Sequence, residues 1–249
     1  MIEIIDHASV RELRLNRPPA NALSGDLITT LLRAMDAAAH DGARALVLSG
    51  SPGMFSAGLD VPQLLTLDRA AMNAVWREFY ALLGIMASSP IPIACAVTGH
   101  APAGGTVLAI FCDWRIAAEG NWKLGLNEVQ VGLPLPPVIY SALRRLVGTR
   151  NAEHLAVLGR IVSPSEALAL GMVDEIVPPE LVVPRAVSWC EDILKLPRFA
   201  METTRKKARA DLIEVCEKGM AHEVDAVAEQ WWNEETQSVL RSLVSRLKK

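Results

Sequence analysis

The chain has 249 residues, of which 51% are hydrophobic and 21% charged, and its formal net charge is −3. This length and composition predict a globular protein with a sizeable core and exclude a largely disordered chain. The slightly acidic balance provides no chain-wide basic field, so nucleic acid is not an expected partner.

The N-terminus and the cysteines bear on the cellular compartment. The first six residues contain two acids and no basic residue, which argues against a secretory signal. The four cysteines lack the spacing of a metal site and are typical of buried thiols in a reducing compartment. We therefore expect a cytoplasmic protein without a metal ion. Location in the mitochondrial matrix, as a processed form, is the alternative. No apolar run is long enough to span a membrane without a charge, Pro or Gly.

The first half of the chain alternates between strand and helix patterns. Leu13 and Leu15 alternate with polar residues, which predicts a strand. Ser24 is a suitable N-cap for an amphipathic helix that reaches Met35. The apolar run 45–48 predicts a short buried strand. Strand, helix and strand in this order indicate the α/β class.

The same alternation continues to Pro178, after which the pattern is mostly helical and richer in charge. We place a boundary near Pro197, between a core domain over 1–196 and a helical oligomerisation region over 197–249. The further predicted elements are helix 72–86, strand 93–97, helix 105–111, strand 115–118, a possible strand 122–126, helix 138–146 ending near Gly148, a helix capped by Ser163 and stopped by Gly171, and strand 173–177.

Two glycine-containing loops stand out, 56–60 (the first glycine loop) and 99–105 (the second glycine loop). Each follows a predicted strand, and the second leads into a helix, so backbone N–H groups could be exposed at a pocket and bind a developing oxyanion. A simple turn or close helix–strand packing would also explain these glycines. The chain has no Gly-x-Gly-x-x-Gly and no Walker lysine, which argues against dinucleotide and P-loop sites. It also has no Gly-x-Ser-x-Gly, which disfavours a serine hydrolase.

Glu128 is the candidate acid/base. Its neighbours are mostly apolar, and a carboxyl group stripped of water has a raised pKa and can take and return a proton. An exposed glutamate on a loop is the alternative.

His100 in the second glycine loop is more typical of a structural histidine. The basic run 205–207 indicates either a solvated helix face or a patch that meets phosphates. Together, the loops and Glu128 predict proton abstraction beside a thioester carbonyl.

At these residues the chain resembles the crotonase (enoyl-CoA hydratase/isomerase) superfamily, over essentially its whole length. Within it, the chain is most similar to the mitochondrial-type 3-enoyl-CoA isomerases of fatty-acid beta-oxidation. The resemblance implies a spiral of ββα units followed by C-terminal helices that mediate trimerisation. The segments that carry it are 18–24, 55–60, 102–105 and 125–132, the last containing Leu-Asn-Glu.

The resemblance also implies roles for individual residues. The oxyanion hole maps onto the N–H groups of Leu59 and Gly104, and the isomerase glutamate maps onto Glu128. Hydratases of the superfamily use a second glutamate, and the position that it would occupy here is Val107. The acyl-CoA-binding loop maps onto Ser56, Ala57, Gly58, Leu59 and Asp60.

The implied substrate is an acyl-CoA thioester, with no separate cofactor because coenzyme A is part of the substrate. The implied assembly is a homotrimer or a dimer of trimers. Subunit contacts would then account for apolar residues near the C-terminus, namely Trp231, Trp232, Val239, Leu240 and Leu243. For the pair Trp231 and Trp232, packing of a helix onto a neighbouring element of the same chain is the alternative. We expect helices near 76–83 and 133–140 to line the acyl tunnel.

Four other functions stay open. A hydratase with a displaced second acid, a CoA-thioester hydrolase or a decarboxylase would use the same loops. A non-catalytic acyl-CoA-binding or scaffold protein on the same fold belongs to a different class, and the presence of Glu128 beside two intact glycine loops argues against it.

Overall fold

The computed structural model describes residues 1–247 and arranges helices around two sheets. The strands of this part, β1 to β9, are Ile2–His7, Val10–Leu15, Ala45–Ser49, Gly53–Met54, Ile93–Val97, Gly99–Pro102, Trp114–Ala118, Leu124–Gly125 and Glu175–Val177. Its α-helices, α1 to α11, are Gly25–His40, Val61–Leu64, Arg69–Ser88, Gly104–Phe111, Pro137–Leu158, Pro164–Leu170, Val182–Leu194, Arg198–Ala208, Ala210–His222, Val224–Gln230 and Glu234–Leu247. Single turns of 3₁₀ helix lie at Glu128–Val131 and Pro179–Leu181. No helix within 1–247 is both long and apolar enough to cross a bilayer.

From β3 onward, consecutive strands alternate between the two sheets. The larger sheet has the order β1, β2, β3, β5, β7, β9, and the smaller has the order β4, β6, β8. The pairs β3/β4, β5/β6 and β7/β8 each place one strand in each sheet before the chain turns into helix. Apart from the antiparallel pair β1 and β2, neighbouring strands are parallel. This arrangement confirms the predicted α/β spiral of ββα units.

The apolar strands are covered on both faces, as their continuous hydrophobicity predicts. One face of the larger sheet contributes to the main core together with α1, α3 and α4. The other face is covered by α7 through Val182, Ala186 and Cys190. All four cysteines are buried and unpaired, as predicted.

The C-terminal helices share the main core. Helices α9 and α10 pack against α3, and Trp231 and Leu240 are completely buried in the same cluster. Their own chain buries both side chains, so Trp231 packs onto a neighbouring element, one of its two predicted locations, and the expected cover of Leu240 by a partner subunit is wrong. The division at residue 197 stays a prediction, and one core extends across it.

Asp113 ties this region to the sheet. Its carboxylate accepts hydrogen bonds from Arg205 (2.8 and 2.9 Å), Arg209 (3.0 Å) and the N–H of Ile93 (2.8 Å). Arg209 also donates to backbone carbonyls that end α3 and α4. Arg205 thus serves a partly buried ion pair within the protein and does not belong to a phosphate-binding patch.

Several element boundaries differ from the sequence prediction. Ser24 and Ser163 cap helices and Gly171 ends one, all as predicted. Gly148 has non-helical backbone angles (φ +75°, ψ 163°), so the first helical segment of α5 ends there, as predicted, and a second segment continues beyond the kink to Leu158. The predicted strand 122–126 is reduced to Leu124–Gly125, and strands β1, β4 and β6 were not predicted at all.

Candidate active site

The two glycine loops meet in direct backbone contact. Gly58 has φ +86°, and a Cβ atom there would lie 2.9 Å from the nitrogen of Gly104. A Cβ atom on Gly105 would lie 2.4 Å from the carbonyl oxygen of Ser56. Only glycine fits such approaches, so these residues bring the backbone amides of the two loops together.

The amides of Leu59 and Gly104 are adjacent and free. A Cβ atom on Gly104 would be 3.4 Å from the Leu59 nitrogen, and within residues 1–247 neither N–H donates a hydrogen bond. By contrast, Asp60 N–H donates to Leu23 (3.1 Å) and Ala103 N–H donates to Gly125 (2.8 Å). Gly104 begins α4, where helix geometry leaves the N–H unpaired and the helix dipole favours negative charge.

Two buried polar side chains hold the first glycine loop in place. Ser56 Oγ donates to the carbonyl of Asn21 (2.8 Å) and accepts from Gly58 N–H (3.2 Å). Asn21 Nδ2 donates to the carbonyl of Phe55 (3.1 Å). Ser56 and Gly58, predicted to bind substrate, are not part of the cavity wall, so we interpret them as positioning residues. Sequence reasoning assigned no role to Asn21.

Asp60 borders the cavity but is already engaged. One carboxylate oxygen accepts from Arg17 Nη2 (2.6 Å), and the other accepts from Gln63 N–H (3.1 Å) and so caps α2. Both oxygens of this carboxylate already accept hydrogen bonds from the protein, so Asp60 fixes the start of α2 and shapes this side of the site.

The strand that leads to Glu128 is bonded to the second glycine loop. Thr106 Oγ1 donates to the carbonyl of Ala101 (2.5 Å) and accepts from Gly125 N–H (2.8 Å). The Gly125 carbonyl in turn accepts from Ala103 N–H (2.8 Å). These bonds set where Glu128 begins its 3₁₀ turn, and Thr106 is a positioning residue that sequence reasoning did not find.

Glu128 has the environment of a poised acid/base. Its Oε2 is closed to solvent and has no hydrogen-bond partner in the part of the chain that the structure describes. Burial raises the pKa of this carboxyl from 4.5 to about 7, opposed only by a backbone hydrogen bond. The rise predicted from its apolar neighbours is thereby confirmed, and near neutral pH the group can exist in either protonation state.

Glu128 and the two free amides border one apolar cavity of about 410 Å³. Helix α3 and the segment 133–140 line this cavity, as expected. Leu243 of α11 also lines it, which the sequence did not predict. The apolar side chains of the wall include Val61, Trp76, Phe79, Val107, Leu133, Ile139 and Leu243. A largely apolar pocket with few polar groups is suited to a hydrocarbon chain that carries one reactive polar centre.

His100 is structural, as expected. Its Nδ1 accepts from Lys123 N–H (3.1 Å), and its ring stands edge-on to Trp122 at 5.1 Å. Its backbone carbonyl accepts from the N–H groups of Phe55 and Ser56. Within residues 1–247 no cluster of three or more His, Cys, Asp or Glu side chains is suited to a metal ion.

Comparison with known proteins identifies the family. The family model for enoyl-CoA hydratase/isomerase matches residues 6–248, nearly the whole chain. The chain belongs to the enoyl-CoA hydratase/isomerase, or crotonase, family. The resemblance inferred from the glycine loops and the Leu-Asn-Glu segment is thus confirmed, and this crotonase is an enzyme of the hydratase/isomerase type.

The relatives of this crotonase include both isomerases and hydratases. It is 33% identical to human mitochondrial enoyl-CoA delta isomerase 1, over 81% of this chain and 68% of the relative. It is 35% identical to a probable enoyl-CoA hydratase, echA17, of Mycobacterium avium, over 80% and 77%. The crystal structure of human mitochondrial delta3-delta2-enoyl-CoA isomerase superposes with a TM-score of 0.95 at 29% identity, covering 99% and 98% of the chains.

Proposed function

We propose that this crotonase isomerises 3-enoyl-CoA to 2-trans-enoyl-CoA. The observation that carries the proposal is a single uncommitted carboxyl group, Glu128, in one cavity with the two free amides of Leu59 and Gly104. Asp60 is the other carboxyl group of the cavity wall and is held by Arg17. Moving a double bond requires one group that removes a proton and returns it elsewhere, whereas no water is added.

The proposed mechanism has two proton transfers. The thioester oxygen accepts hydrogen bonds from Leu59 N–H and Gly104 N–H. Glu128 carboxylate removes a proton from C2, and the C–H electron pair forms a dienolate whose charge collects on that oxygen. The carbonyl then re-forms, the double bond settles between C2 and C3, and C4 takes the proton back from Glu128. The reaction is redox-neutral and adds no atoms, so we propose that it needs no cofactor beyond the coenzyme A of the substrate.

The second candidate function is hydration of a 2-enoyl-CoA, which the similarity to probable hydratases favours. The second glutamate expected of a hydratase is replaced by Val107, whose apolar side chain forms part of the cavity wall. An apolar group there neither activates nor holds a water molecule. This supports isomerisation over hydration.

One experiment separates the two candidates. The purified protein is incubated with 3-enoyl-CoA and, separately, with 2-trans-enoyl-CoA, and products are resolved by chromatography and mass. Isomerisation predicts 2-trans-enoyl-CoA from the first substrate and little 3-hydroxyacyl-CoA from the second. Rapid formation of 3-hydroxyacyl-CoA without isomerisation would make the protein a hydratase. Binding of both thioesters without turnover would indicate a non-catalytic acyl-CoA-binding protein.

We also propose a homotrimer, or a dimer of trimers, acting in fatty-acid beta-oxidation in the cytoplasm. Val157 and Leu158 at the end of α5 are 68% and 61% exposed, and Val129 beside them is 40% exposed, which supports an interface at this face. Four buried free thiols support a reducing compartment. Light scattering after gel filtration measures the molar mass in solution, and the mass of a monomer would overturn the proposed assembly.

A further inference from the structure

The C-terminal helix α11 contributes to the wall of the active-site cavity. Within residues 1–247, Leu243 is the only lining residue that follows Ile139. Helix α11 packs against α2, which follows the first glycine loop, and against the 3₁₀ turn that begins at Glu128. One helix therefore contacts the segments that flank both sides of the proposed reaction centre.

The position of α11 is closely fixed. Thr236 Oγ1 donates to the carbonyl of Gly132 at 2.6 Å, at the end of the Glu128 turn. A Cβ atom on Gly132 would lie 3.3 Å from Thr236 Cα and from Val239 Cβ, so the backbone of this turn is in close contact with the helix. Gln237 Nε2 anchors the first turn of the helix to the carbonyl of Trp231 (2.8 Å). The wall that α11 provides cannot recede easily when a ligand enters.

Leu243 is the side chain of α11 that faces the cavity. Thr236, Leu240 and Leu243 follow the i, i+4, i+7 spacing of one helix face. Thr236 and Leu240 are buried in protein, whereas Leu243 is only half-buried and borders the cavity. The size of this one side chain therefore changes the space in the cavity without removing the contacts that hold the helix.

We propose that Leu243 is a specificity-determining residue that limits the length of the acyl chain. The inference rests on the proposed function, because it treats the cavity as an acyl-CoA site. Each methylene group that enters an apolar pocket raises affinity about fourfold. When the chain reaches Leu243, further methylene groups gain no burial, and the affinity stops rising with chain length.

The test measures binding rather than turnover. Straight-chain saturated acyl-CoA thioesters from butanoyl to dodecanoyl have no double bond to move, so titration calorimetry reports the pocket alone. For the wild-type protein we expect affinity to rise with chain length and then level off. Leu243→Ala should shift the plateau to longer chains, with about a fourfold gain for each additional methylene buried. Leu243→Phe should shift it to shorter chains.

Ser242→Ala is the matched control, because Ser242 is exposed on the same helix and is not part of the cavity wall. This variant should keep the wild-type plateau, and circular dichroism should show that all variants are folded. Acyl-CoA binding with the same plateau in Leu243→Ala, Leu243→Phe and wild type would overturn the role of Leu243 and leave the proposed function intact. A wild-type protein that binds none of the thioesters would overturn both.

Discussion

Glu12 and Glu128 both have carboxyl oxygens that are closed to solvent, and their surroundings give these two groups opposite properties. Glu12 on β2 is fully buried and accepts hydrogen bonds from Ser49 (2.6 Å), His7 (3.0 Å) and Arg14 (3.0 Å). Desolvation raises the pKa of Glu12, but these hydrogen bonds together outweigh it and the pKa is lowered. Glu128 has a buried oxygen without any such donor, and its pKa rises to about 7.

The difference shows that burial alone does not create an acid/base. At Glu12, donors from β2 and from its neighbours β1 and β3 occupy most acceptor positions of the carboxylate, so its ionised form is stabilised. At Glu128 the apolar wall disfavours the ionised form, which brings the two protonation states close in free energy near neutral pH, so the group can both take and return a proton. The number of donors around each carboxylate, rather than its depth, distinguishes a structural group from a chemical one.

Among the substitutions that test this contrast, we expect the largest effect from replacing Glu128, and that effect is on turnover. Glu128→Gln keeps the shape of the side chain but cannot accept the C2 proton, and loss of an acid/base costs about 10²–10⁴ in rate. We expect at least this loss in kcat for 3-enoyl-CoA, with acyl-CoA binding retained in calorimetry. Glu12→Gln is the matched control and should stay within a few-fold of wild type while folded. Near-normal isomerisation by Glu128→Gln would remove Glu128 from the mechanism.

The next largest effect concerns the two free amides. A proline at Gly104 would delete the N–H, but its Cβ atom would lie 2.8 Å from Leu23 Cδ1, so fold and rate would change together. An amide-to-ester replacement at Gly104 removes the N–H without adding atoms. We expect kcat to fall by about 10²–10³, as for loss of one oxyanion donor.

The same replacement at Gly105 provides the comparison, because that neighbouring amide has no proposed contact with the thioester. The ester at Gly105 should lower kcat much less than the ester at Gly104. Equal losses at the two positions would mean that the ester perturbs the start of α4 in general, and the oxyanion role of Gly104 would fail.

Helices and strands could be predicted where a short sequence segment itself carries the signal, such as a helix cap or a continuous apolar run that becomes buried. The caps at Ser24 and Ser163 and the continuous apolar runs of β3 and β5 gave correct elements because each signal lies within a few residues. Strand β1 lies at the sheet edge with much of it exposed, so it lacks a clear alternation. Strand β6 forms where Gly99 allows a backbone approach to Gly53 that no side chain would permit, and that contact has no local sequence signal.

The site could be predicted in part for the same reason. Apolar neighbours of Glu128 signalled its raised pKa, and the glycines signalled a close backbone approach. The pairing of Asp60 with Arg17 joins residues far apart in sequence, and it leaves Glu128 as the carboxyl group of the cavity wall with an oxygen that has no partner. The place of Leu243 in the wall depends on how α11 folds back onto the core. Contacts of this kind follow from tertiary packing, so no local pattern reveals them.

A pH profile sharpens the contrast between the two carboxyl groups. Proton abstraction requires ionised Glu128, so kcat/KM should rise with pH and reach half its maximum near pH 7, where its pKa lies. Below that value the rate should fall about tenfold per pH unit, because the ionised fraction does so. Binding of a saturated acyl-CoA, measured at the same pH values, controls for loss of affinity. A rate that is already maximal at pH 5 would contradict the raised pKa.

The smallest expected effect is on the free energy of unfolding, and it has opposite signs for substitutions at Glu128 and Glu12. The folded-state pKa of Glu128 is raised from 4.5 to about 7, so the stability that this group contributes at low pH is lost as pH rises towards 7. Above pH 7, Glu128→Gln avoids that loss and should stabilise the protein by about 1–3 kcal/mol. The folded-state pKa of Glu12 is lowered, so its contribution is present above the unfolded pKa and is lost only on acidification. Glu12→Gln should therefore destabilise the protein by about 1–3 kcal/mol at the same pH.

Urea unfolding at pH 8 and pH 5 measures both variants against wild type. The advantage of Glu128→Gln should shrink at pH 5, because protonation of the wild-type carboxyl then removes the same buried charge. Destabilisation by Glu128→Gln at pH 8 would mean that the ionised group has partners in solution and resembles Glu12. Since the proposed base depends on the absence of such partners, that result would weaken the proton-shuttle mechanism even if the variant were inactive.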